Sequence, residues 1–227
     1  MIPNPHKCRF ILFEGIDGSG KSQQYTRFQN LMRAFFPQIA TAYAKEPDER
    51  RSIGKVIYEI LNGRHPTYNL QQMQPYHFQA FYIEDRMWNY RMNIIPSLQN
   101  GIHLLQDRGV ASSFCYGAQS PAEFYDFMGL HDRIFSAAQM SFFWPDMILI
   151  FDVPAEVAVE RMKASGKQLD QFETVEMLKR VRDNYRAFAE TYPNCVVVDG
   201  TAKEEDVFIQ TRTHLLSLLG LSEQSGA

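Results

Sequence analysis

Apolar residues recur along the chain in five short runs, at 9–14, 39–45, 102–106, 147–153 and 195–198. They are too brief for helices and continuous enough for strands buried on both faces of a parallel sheet. Between them lie stretches of helical period at 21–35, 52–61, 74–99, 155–164, 174–192 and 204–219. The second shows the pattern plainly, with Ile53, Val56, Ile57, Ile60 and Leu61 at helical spacing. Strands alternating with helices predict a doubly wound α/β fold, a five-stranded parallel sheet flanked by helices with ligands at the carboxyl ends of its strands. Two segments, 117–129 and 165–173, break the alternation. The second, S-G-K-Q-L-D-Q-F-E, is polar and contains Gly166, which suits a closing lid over about residues 162–173.

No internal repeat, linker or low-complexity tract interrupts this rhythm, so residues 1–227 are expected to form a single domain. A 45% hydrophobic composition with 17 Phe and 11 Tyr supplies ample core material. The net charge of −3 argues against a protein held to nucleic acid by its overall field, and points to a small ligand. Cys8, Cys115 and Cys195 are odd in number and lack a C-x-x-C pair, so they read as core thiols and not as a disulfide or zinc framework. No run of 18 apolar residues and no apolar leader is present, so a soluble cytoplasmic protein without membrane partners is expected.

Chemistry enters at residues 15–22, G-I-D-G-S-G-K-S, directly after the first apolar run and before the first helical stretch. In that setting the pattern is a P-loop. The backbone from Gly15 through Asp17, Gly18, Ser19 and Gly20 can wrap around phosphates, Lys21 can reach the β- and γ-phosphates, and the Ser22 hydroxyl can ligate Mg²⁺. A nucleoside triphosphate is the expected ligand. Three charged clusters then point to phosphoryl transfer: Lys45-Glu46-Pro47 followed by Arg50 and Arg51, Glu84-Asp85-Arg86, and Asp107-Arg108. Arg51 and Glu84 read rather as surface ion pairs, whereas Arg108, after a buried run and an Asp, reads as a site residue.

With these pieces placed, most of the chain resembles the thymidylate kinases, P-loop enzymes that phosphorylate dTMP with ATP. The resemblance rests on F-E-G-I-D-G-S-G-K-S, K-E-P, F-Y-I-E-D-R, D-R-G-V-A-S-S-F-C-Y, and the segment P-D-M-I-L-I-F-D-V-P-A-E-V-A-V-E-R from Pro145 to Arg161. It implies that Asp17 faces the acceptor 3′-hydroxyl, Tyr82 stacks on thymine and Arg86 bonds its O4. It further implies that Asp107 lies near Mg²⁺, that Arg108 holds the acceptor phosphate, that Ser112 and Ser113 lie beside the base, and that Tyr116 lies under the deoxyribose. Lys21, Arg108 and Asp17 are the implied catalytic residues, Lys167 reads as the lid cation because Gly166 gives its backbone freedom to swing in, and a homodimer through the 74–99 helix is implied. The competing reading of Tyr82 is core packing beside Phe78 and Phe81.

The chain departs from the family in three places. Lys45 stands where Arg is commoner, leaving Arg50 to supply the phosphate fork that Lys cannot form. Gly109 replaces a Tyr or His after D-R, and the lid offers Lys163 and Lys167 in place of arginines. The alternative enzyme class is a deoxynucleoside kinase with Glu46 as general base on a sugar hydroxyl. A nucleotide-binding switch is the alternative outside catalysis, but the guanine-reading N-K-x-D of GTPase switches is absent.

Overall fold

Five parallel strands form the central sheet of the computed structural model, which describes residues 1–166 and 174–222. They are β2 (Phe10–Glu14), β3 (Thr41–Lys45), β4 (His103–Asp107), β6 (Met147–Asp152) and β7 (Cys195–Asp199), in the order β3-β4-β2-β6-β7. Two further short strands, β1 (Ile2–Pro3) and β5 (Phe143–Trp144), pair parallel to each other. Every residue of β2 is buried, as the unbroken apolar run requires of a strand covered on both faces. Alternation then divides the core: Phe10 and Leu12 join Leu104, Ile148 and Ile150 on one face, while Ile11 and Phe13 join Leu105, Leu149 and Phe151 on the other.

Helices α1 (Lys21–Phe35), α2 (Ser52–Leu61), α7 (Ala155–Ala164) and α9 (Glu204–Leu219) match their predicted spans. The predicted 174–192 helix is α8 (Val175–Thr191), where the Thr174 hydroxyl accepts the Met177 N–H at 3.2 Å as the N-cap. The predicted 74–99 helix is not uniform. It runs as α3 (Pro75–Asn89), widens into a π turn at Tyr90–Ile94, and resumes as α4 (Ile95–Gln99). Pro96 has no N–H to offer the preceding turn, which favours such a widening there.

The predicted break at 117–129 is a correction. Helix α5 (Val110–Gly117) ends on its first residue, and α6 (Phe124–Ala137) begins inside it. Gly129 costs about 1 kcal/mol of helix propensity, yet Phe124, Phe127, His131 and Phe135 fall on one face of α6 and are buried. Burial of that face outweighs the glycine.

Register brings the site together. Phe13 and Lys45 both pair with Asp107, Glu14 pairs with Ile150, and Asp152 pairs with Asp199. The charged residues that end the strands therefore line one rim of the sheet, beside the turn from β2 into α1. Among the described residues no helix is long and apolar enough to cross a membrane.

Candidate active site

The loop between β2 and α1 needs glycine at specific points. Gly18 has φ +78°, and a Cβ on it would stand 2.3 Å from the Ala158 carbonyl oxygen of α7, so both conformation and space exclude a side chain. At the end of the loop Lys21 and Ser22 meet the last residue of β4. The Ser22 hydroxyl donates to Asp107 Oδ2 at 2.7 Å, and Lys21 Nζ lies 3.4 Å from Asp107 Oδ1 and 3.3 Å from Ser22 Oγ. Burial lowers the Lys21 pKa, Arg108 lowers it further, and Asp107, Asp17 and Glu14 oppose both. Asp107 Oδ1 is buried without a hydrogen bond among the described residues. A carboxylate oxygen held only by the Lys21 charge, beside a hydroxyl, suits a hard cation that takes its remaining ligands from phosphates and water.

Arg108 follows directly, in a left-handed conformation with φ 63°. Its N–H donates to Phe13 O at 2.9 Å, fixing the turn against β2. Its guanidinium donates to Asp17 Oδ1 at 2.7 Å, Gly15 O at 3.1 Å and Ser112 Oγ at 3.0 Å, and lies 5.2 Å from the centre of the Tyr116 ring. The Tyr116 hydroxyl donates to Asp17 Oδ2 at 3.0 Å. Asp17, Arg108, Ser112 and Tyr116 thus form one connected group. Behind it stands a residue that sequence reasoning missed. Glu14, fully buried at the end of β2, accepts Gly109 N–H at 2.7 Å, the Ser112 hydroxyl at 2.6 Å and the Tyr185 hydroxyl at 2.9 Å. Burial raises its pKa against these hydrogen bonds. Glu14 so caps α5 from a neighbouring strand. A Cβ on Gly109 would meet Leu12 Cδ1 at 2.8 Å, so this turn packs closely onto β2.

A second group surrounds Arg86 of α3. Its Nε donates to Glu46 Oε2 at 2.9 Å, Nη2 to Ser113 Oγ at 3.0 Å, and Nη1 to His131 Nε2. His131 Nδ1 lies 2.7 Å from Phe127 O and donates to it, leaving Nε2 as acceptor. Burial and then the Arg86 charge push the His131 pKa down to about 3, so the ring is neutral. Asn89 donates to the other Glu46 oxygen at 2.9 Å. Both Glu46 oxygens therefore already accept hydrogen bonds, and nothing in this arrangement favours the deoxynucleoside kinase alternative.

Asp17, Arg108, Ser112 and Tyr116 of the first group and Glu46, Arg86 and Ser113 of the second share the wall of a cavity of about 370 Å³, which Tyr82, Phe78 and Gln79 also line. Tyr82 packs edge-on against Phe78, with ring centres 5.3 Å apart, while facing the cavity. Two expected residues stand elsewhere. Arg50 pairs with Asp48 at 2.6 Å with its side chain 77% exposed, and Lys45 lies 3.5 Å from Glu49; neither lines the cavity. Arg51 is no surface ion pair: it is buried and doubly bonded to Asp85, tying α2 to α3. A second cavity, about 520 Å³, lies beyond the P-loop and is lined by Gly18, Ser19, Gly20, Gln23, Arg161 and Ser165 among others. Lys163 lies in the last turn of α7, and Lys167 and the rest of the predicted lid lie outside the described residues.

A P-loop at the rim of a parallel sheet, with Asp17 lining one cavity and Gly18, Ser19 and Gly20 lining another, is an arrangement that suits a phosphotransferase. The family model for thymidylate kinase matches residues 13–210. The chain is 30% identical over 206 residues to the thymidylate kinase of Pelotomaculum thermopropionicum, an overlap of 89% of this chain and 90% of the relative. It is 31% identical to that of Carboxydothermus hydrogenoformans over 93% and 98% of the two chains, and 27% identical to the probable thymidylate kinase of Archaeoglobus fulgidus over 95% and 98%. The chain belongs to the thymidylate kinase family, and it is a nucleoside monophosphate kinase.

Proposed function

We propose that the chain works as one kinase domain that transfers the γ-phosphate of ATP to dTMP, giving dTDP and ADP, with Mg²⁺ held by Ser22 and Asp107. The observation that carries this reading is the clamp on Arg108, whose guanidinium is fixed by Asp17, Gly15 and Ser112 on the acceptor side of the P-loop. A phosphate acceptor brings its own nucleophilic oxygen, so alignment and charge stabilisation do the catalytic work and no general base is required. When bound, Mg²⁺ supplies positive charge to the phosphate oxygens. Lys21 contributes its charge from the P-loop, and Arg108 aligns the acceptor phosphate. Asp17 accepts from the 3′-hydroxyl, and Tyr116 packs on the deoxyribose.

Tyr82 stacks on the base and Arg86 donates to its O4, with Ser112 and Ser113 alongside. Lys45 and Arg50 remain candidates for the acceptor phosphate only if the segment after β3 moves inward, and Lys167 is the proposed lid cation. The free Cys8, Cys115 and Cys195 thiols support a reducing, cytoplasmic setting. Trp88 and Met92, 45% and 54% exposed on the 74–99 stretch, support a homodimer through that face. The decisive experiment is a coupled ADP-release assay in which dTMP competes with thymidine. Turnover on dTMP with no turnover on thymidine is expected; preferential turnover on thymidine overturns the reading.

A further inference from the structure

Gln79 stands on α3 three residues before Tyr82 and seven before Arg86, a spacing that brings all three to one helix face. It lines the acceptor cavity, yet it is only 5% exposed, and its Oε1 is buried without a hydrogen-bond partner among the described residues. A buried acceptor left unmade is costly, and native proteins retain few of them. The room for this side chain is built into the fold. A Cβ on Gly117 of α5 would stand 2.9 Å from Gln79 Cγ and 2.9 Å from Phe127 Cζ. Gly117 does not have a left-handed φ, so space and not backbone conformation is what glycine provides there.

Among the described residues, several other acceptors on this wall already accept a hydrogen bond, which the Gln79 oxygen does not. Ser113 Oγ accepts from Arg86, the Glu46 oxygens from Arg86 and Asn89, the Asp17 oxygens from Arg108 and Tyr116, and Gln119 Oε1 from Arg180. A thymine ring shows two carbonyl acceptors flanking a single donor, the N3–H. Arg86 has five N–H groups and spends three on Glu46, Ser113 and His131, so it has donors left for a carbonyl. It has nothing to offer an N–H. We propose that Gln79 is a base-reading residue whose Oε1 accepts the N3–H of the acceptor pyrimidine, complementing Arg86 at O4. This rests on the dTMP reading above.

The test uses the full-length enzyme with dTMP and with its N3-methyl analogue, which has no N3–H. Gln79→Met keeps the bulk of the side chain and removes the amide oxygen, and Gln79→Leu repeats the loss in a different shape. In either folded variant KM for dTMP is expected to rise about tenfold with kcat within about threefold of the parent. Discrimination in kcat/KM between dTMP and the N3-methyl analogue should fall by a similar factor. A merely structural Gln79 would lower Tm and leave that discrimination unchanged, and this result overturns the proposal. A parent enzyme inactive on dTMP overturns the acceptor assignment together with this inference. A parent active on dTMP, with KM in both variants within twofold, overturns the role of Gln79 alone.

Discussion

Replacing Arg86 by Met separates what this residue does for the fold from what it does for the base. In the parent its guanidinium is 2% exposed and its partner Glu46 3% exposed, so Arg86→Met strands a carboxylate that keeps only the 2.9 Å hydrogen bond from Asn89. Removing one partner of a buried ion pair costs about 3–5 kcal/mol. For a chain of this length that lowers Tm by about 6–20 °C. The lost contact to O4 is a hydrogen bond from a charged donor, worth about 1.5–3 kcal/mol, or a roughly 10- to 150-fold rise in the dTMP Kd. The two losses come apart in the double variant Arg86→Met, Glu46→Gln, in which no buried charge is left alone. Urea denaturation should show it regaining most of the lost stability, while calorimetric titration with dTMP should still show the weakened Kd. A double variant that recovers affinity along with stability would refute the base contact and leave Arg86 a structural residue.

The neutral state of His131 makes stability depend on pH in a defined direction. Its folded pKa of about 3 lies below the ordinary 6.5, so between these values the unfolded chain binds a proton that the folded chain does not. This contribution is fully present above the ordinary value and is lost as pH falls toward the folded one, at about 1.4 kcal/mol per pH unit for one proton. His131→Gln keeps an acceptor for Arg86 and removes the titration, so the stability difference between parent and variant should change with that slope from pH 6 to pH 4. A constant difference would show that His131 is not the group responsible. Met92→Lys places like charges across any symmetric contact through the 74–99 face. Sedimentation velocity should then show the dimer shifting to monomer; an unchanged dimer moves the interface elsewhere.

What could be read from the sequence was local. The P-loop and the five strands each follow from residues within a few positions of one another, where period and spacing fix the geometry. Arg86 was found by its motif, but its surroundings were not. Glu46, Ser113 and His131 come from three separate elements, and nothing about a histidine on a glycine-containing, apolar helix announces that it will accept from an arginine 45 residues away. Glu14 illustrates the same limit more sharply. Its position beside the P-loop is evident, yet its role as the cap of α5 depends on Tyr185, 171 residues distant, and on the turn at Gly109. The reading of Arg51 as a surface ion pair fails for the same reason. Arg50 and Arg51 are adjacent and chemically identical, and only the packing of α2 on α3 sends one to solvent with Asp48 and the other into the interior with Asp85. Motifs identify which charges converge on a rim, whereas the partners that hold those charges still are decided by tertiary packing. Gln79 lies on that boundary: unremarkable in the helical pattern, it becomes a candidate reader of the base only when Gly117, from a different helix, is seen to leave it room.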